Sequence, residues 1–152
     1  VSIQFKDLQA MNSHTQILLL PRNYESTDEY YLYDNTVYTI NKVLKQAGIN
    51  SAYLDDKPIQ FLEQRAVEWF LPVLYISYNV LIENKEVYEA ALMAIKEYIV
   101  KSSPFTRGEE NAVKLKVIVE KSEDKTTKSI EYNGPIDGLS DLKDSILRIA
   151  NE

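Results

Sequence analysis

The chain has 152 residues, with 17 Lys plus Arg against 23 Asp plus Glu, a net charge of −6, a hydrophobic share of 45% and no cysteine. That length suits one α+β domain burying about 68–70% of its extended surface, and the apolar share excludes wholesale disorder. The acidic balance argues against a nucleic-acid surface, and the missing cysteines exclude disulfides, thiolate metal sites and a cysteine nucleophile. No run approaches the ~20 apolar residues of a membrane span and no leader-like segment opens the chain, so a cytoplasmic location is expected. The chain begins at Val1 rather than a methionine, which keeps a longer parent protein among the alternatives.

Val1, Ile3 and Phe5 alternate with polar residues as a short strand would, and Gln16 to Leu20 is an apolar run stopped by Pro21. Arg22 to Asn35 interleaves Tyr24, Tyr30, Tyr31 and Tyr33 with Glu25, Asp28, Glu29 and Asp34 without a clean period, which predicts a loop. Thr36 to Ala47 has helical spacing at Val37, Ile40, Val43, Leu44 and Ala47, with Asp34 or Asn35 as cap and Gly48 at C′. Ile49 to Leu54 predicts a strand, and Asp55-Asp56-Lys57-Pro58 a turn. Ile59 to Trp69 is ambiguous and is read as irregular or partly helical.

Leu71 to Ser77 carries bulk on both faces, as a central covered strand does, with Pro72 at its start and the ladder beginning at Val73. The clearest helix follows Asn84: Val87, Tyr88, Ala91, Leu92, Ile95, Tyr98 and Ile99 form one apolar stripe, ended by Ser102-Ser103-Pro104. Val113–Glu120 and Lys128–Tyr132 predict an antiparallel hairpin around residues 122–126, closed by Asn133-Gly134-Pro135. Asp137 or Ser140 caps a last helix with Leu139, Leu142, Ile146 and Ile149 as its seam. The sum is a single mixed, mainly antiparallel sheet with about three helices packed on it, ending in a hairpin and a helix.

Most chemistries are removed by residue count. His14 is the sole histidine and sits in a polar stretch, and four glycines, at 48, 108, 134 and 138, make neither a phosphate loop nor a dinucleotide fingerprint. Lys114, Lys116 and Lys121 form the nearest basic patch, but alternation with Leu115, Val117 and Val119 reads as the wet face of a strand. No cofactor and no metal is therefore assigned. One enzyme alternative survives, a Mg²⁺-dependent nuclease-like site using Asp55, Asp56 and Glu83 with Lys85 orienting water. Glu123-Asp124-Lys125 repeats the same pattern in a loop. A small-molecule sensor lined by Trp69, Tyr75 and Tyr78 is a further alternative.

Glu83-Asn84 before the helix with Tyr98, then Val113 to Lys121, Ile130 to Pro135 and Asp137-Gly138-Leu139, have a cadence that resembles small uncharacterised bacterial proteins. The same residues are similar to the effector-associated accessory components of bacterial conflict and phage-defence loci. The resemblance covers about residues 83–150, rests on no known active site and transfers no functional residue. It implies a bacterial cytoplasmic interaction protein of a kind regarded as non-catalytic adaptors.

The expected function is thus a non-catalytic protein–protein interaction or adaptor domain. Tyr24, Tyr30, Tyr31 and Tyr33 are the expected contact residues, because tyrosine is enriched in recognition surfaces. Their acidic neighbours would select a partner with a basic patch, and pairing of exposed hairpin edges with a second copy is an alternative.

Overall fold

The computed structural model describes residues 15–62, 68–77, 80, 83–102, 112–120 and 127–150. The elements in chain order are β1 (Ile17–Leu20), β2 (Tyr31–Asp34), α1 (Val37–Gln46), β3 (Ser51–Tyr53), β4 (Ile59–Leu62), β5 (Glu68–Phe70) and β6 (Val73–Ser77). They continue as α2 (Lys85–Ser102), β7 (Ala112–Glu120), β8 (Thr127–Pro135), a 3-10 helix (Ile136–Asp141) and α3 (Leu142–Ala150). The Val1–Phe5 strand pattern, His14, Tyr78, Gly108, Lys121 and the 122–126 loop lie outside the described residues.

The main sheet is mixed, in the order β3-β1-β6-β7-β8, with β5 standing ahead of β6 on the same flank of β7. Its pairings alternate: β1 runs parallel to β3, antiparallel to β6, β6 parallel to β7, and β7 antiparallel to β8. Among the described residues, the α+β architecture with three α-helices and a closing hairpin then helix is the one expected from the sequence. What the pattern did not show is a second sheet, the parallel ribbon of β2 and β4.

Face assignment follows from register. Ile17, Leu19, Leu74, Ile76, Val117 and Val119 are aligned across three strands, all of them buried. Ser51, in register with Ile17, donates its hydroxyl to Asn41 of α1, so α1 covers this face and α2 lies beside α1. Tyr88, Ala91, Leu92, Ile95 and Ile99 of α2 are buried in the same cluster, while Val87 and Tyr98 are half-buried at its margin. Leu18, Leu20, Val73, Tyr75 and Ile118 occupy the opposite face and are buried too, as a central two-sided strand requires.

Several local expectations are corrected. Residues 31–34 form β2 rather than loop, because Tyr31 and Tyr33 alternate inward and the backbone is completed by β4. The 59–69 segment supplies strands at both ends, β4 and β5, each supported by a distant partner. Asp34 and Asn35 do not cap α1; Thr36 holds the N-cap position without a side-chain hydrogen bond. Gly48 follows the helix at φ +85°, the left-handed conformation that ends helices and that glycine adopts without penalty.

Between β5 and β6 the partner numbering slips by one: Phe70 is in register with Lys114, but Leu74 with Val117. Leu71-Pro72 is therefore a bulge on one flank of β7, its ladder carried on by Leu71 N–H donating to Lys114 O at 3.1 Å. Pro72 falls where no donor is needed, and the ladder resumes at Val73.

Candidate functional site

The four tyrosines of the acidic segment are mostly structural. Tyr33 is fully buried; its hydroxyl donates to Leu19 O at 2.6 Å and accepts from Leu54 N–H at 2.9 Å, tying β2 to the ends of β1 and β3. Tyr31 is buried and donates to Asp56 Oδ1 at 2.5 Å, while Lys57 Nζ lies 5.3 Å from its ring centre. Tyr24 is buried against Lys116, whose Nζ donates to the Tyr24 hydroxyl at 3.0 Å. Only Tyr30 is partly open. The phenols of Tyr31 and Tyr33 titrate well above their ordinary range, chiefly through burial. Three of the four expected contact rings therefore belong to the interior and not to an exposed face.

A different aromatic group reaches the surface. Tyr33 meets Tyr53 edge to face at 6.3 Å, Tyr53 meets Tyr38 at 5.1 Å, and Tyr38 meets Phe61 at 5.4 Å. The ladder climbs from a buried ring to two open ones, with Tyr38 48% and Phe61 44% exposed. Helix α1 contributes Tyr38, strand β3 Tyr53 and strand β4 Phe61, so the group exists only once the ribbon and the sheet edge have met. Such edge-to-face pairs contribute about 0.5–1.5 kcal/mol each beyond area burial when well packed.

Beside the rings runs an open groove of about 620 Å³ lined by Tyr38, Asn41, Lys42, Lys45, Gln46 and Tyr53. Its α1 residues recur at steps of three and four, a polar and aromatic stripe turned away from the buried Val37, Ile40 and Leu44. Among the described residues no carboxylate lines it and neither lysine makes an ion pair. Sequence reading missed this site, although a tyrosine on the wet flank of a predicted helix was the available signal.

A second cavity of about 420 Å³ includes Arg22, Tyr24, Leu71, Val73, Lys116, Glu131 and Tyr132 in its lining. Its charges are answered internally: Arg22 Nε lies 3.2 Å from Asp34 Oδ1, and Lys116 Nζ lies 3.8 Å from Glu131 Oε1. Asp34 is 1% exposed, and burial raises its carboxyl to about 6 against the opposing pull of Arg22.

The postulated metal cluster does not assemble. Asp55 and Asp56 follow β3 at the end of the sheet where β6 begins, since Tyr53 and Leu74 both align with Leu19. Glu83 and Lys85 come after the other end of β6, both exposed, and Asp56 accepts the Tyr31 hydroxyl. Among the described residues no three His, Asp or Glu side chains are grouped to hold a metal ion. For the sensor alternative, Tyr75 is buried and donates its hydroxyl to the buried Glu120; Tyr78 and the Trp69 side chain lie outside the described residues.

No helix among the described residues is long and apolar enough to cross a membrane. Comparison with protein-family models, with curated proteins and with solved structures found no match.

Proposed function

We propose that the protein is a non-catalytic interaction domain that binds another protein through the surface formed by Tyr38, Tyr53 and Phe61. The observation that carries this reading is the exposure of two large rings in mutual contact, Tyr38 and Phe61, held in place by rings beneath them. Aromatic side chains are enriched in binding surfaces because they present much area for few rotatable bonds, and clustered exposure distinguishes them from scattered apolar residues. A cysteine-free chain acting inside the cell, as an adaptor in a bacterial assembly, is consistent with this role.

Tyr38→Ser with Phe61→Ser tests it, because both positions are open and the pair should leave thermal unfolding within a few degrees of the parent. Recovery of a stoichiometric partner by affinity purification from the native host should fall at least tenfold with the double variant. Unchanged recovery by a folded variant would remove the surface from the interaction.

A further inference from the structure

We propose that the groove beside Tyr38 takes an acidic peptide segment with an apolar anchor, the anchor over the Tyr38 and Phe61 rings and the carboxylates on Lys42 and Lys45. This rests on the interaction reading above and names the partner's chemistry. Within a chain of net charge −6, a groove lined by two lysines, two tyrosines and two amides, with no carboxylate among the described residues of its wall, is a local reversal of sign. Lysines three positions apart on one helix lie about 5–6 Å apart at Cβ, close to the ~6.6–6.8 Å between alternate side chains of an extended peptide. Two acidic residues separated by one can therefore meet both ammonium groups at once.

The boundary of the site fixes its direction. Asp55 and Asp56 are exposed just beyond Tyr53, and Asp55 helps to raise the Tyr53 phenol above its usual range, after burial and Tyr38. The occupant's carboxylates consequently fall on the α1 side, away from these acids, and its apolar residue falls on the rings. A long polyanion is disfavoured by the field of the whole acidic chain, whereas a segment with two or three charges is matched locally.

The experiment is selection of a random dodecamer peptide library displayed on phage against the full chain, with the Tyr38→Ser/Phe61→Ser variant as counter-target. Peptides that need both rings should be enriched in Asp or Glu near one aromatic or aliphatic residue. Their affinity, read by fluorescence anisotropy, should fall tenfold or more with Lys42→Glu/Lys45→Glu. Ring-dependent peptides that are basic or neutral would overturn the acidic assignment and leave the surface standing. Peptides indifferent to the rings would overturn both readings. Tighter ring-dependent binding of a labelled oligothymidylate, or concentration-dependent dimerisation lost in the ring variant, would overturn the peptide assignment for a nucleic acid or a second copy.

Discussion

Asp34 shows how a single residue can be held against its own preference. Its carboxyl closes β2, is buried, and has Arg22 Nε 3.2 Å from one oxygen and hydrogen-bonded to the other at 3.4 Å, an incomplete answer to desolvation. Burial wins and the pKa rises from 3.8 to about 6. A raised carboxyl favours the protonated fold, so the stability it contributes is complete below about pH 4 and is lost as the pH climbs through about 6. Asp34→Asn should remove that slope. Urea unfolding at a series of pH values should show the variant gaining on the parent by up to ~3 kcal/mol between pH 4 and 7, given ~1.4 kcal/mol per unit. Parallel profiles would mean Asp34 titrates alike in both states. Tyr33 is the opposite case: its hydroxyl serves a carbonyl and an amide of two different strand ends, both hydrogen bonds buried.

At the scale of elements, α2 carries the clearest link from sequence to stability. Ile95 is fully buried at the middle of its stripe and Met93, two residues earlier, is 69% exposed. Ile95→Ala should lower unfolding free energy by about 2–5 kcal/mol, while Met93→Ala should stay within about 0.5 kcal/mol, both read from urea midpoints. The same contrast explains what the sequence revealed. Helices α1 and α2 and the β7–β8 hairpin were legible because their periods are sustained and their partners lie nearby. Strands β2, β4 and β5 are three or four residues long, and each is completed by a parallel partner at least 28 positions away, a support no local pattern records. The candidate site was illegible for the same reason. Tyr38, Tyr53 and Phe61 come from three elements, and each alone reads as an ordinary aromatic residue.

The whole molecule is organised about the antiparallel β1–β6 pair. On one side β1 leads through α1 to its parallel neighbour β3; on the other β6 leads through α2 to its parallel neighbour β7. The two β-α-β units are thus related by an approximate two-fold axis through the sheet, which puts both helices on one face under the usual right-handed crossover. Strand β8, the 3-10 helix and α3 are additions to the second unit alone, and the β2–β4 ribbon to the first. The exposed rings lie where that ribbon meets the first unit, Phe61 on β4 beside Tyr38 on α1 and Tyr53 on β3, so the proposed surface joins the repeated unit to the addition that breaks the symmetry. The bulge at Leu71-Pro72 acts as an expansion joint. It absorbs one surplus residue between two stretches that are each in phase with β7, leaving neither displaced. Deleting Pro72 should fuse β5 and β6 into one continuous strand, with Leu74 still opposite Val117. Amide exchange at Leu74 to Ile76 should remain as slow as in the parent, and accelerated exchange there would show that the extra residue is needed for alignment. Over evolutionary time such a joint lets this segment change length by one without rewriting the core it feeds.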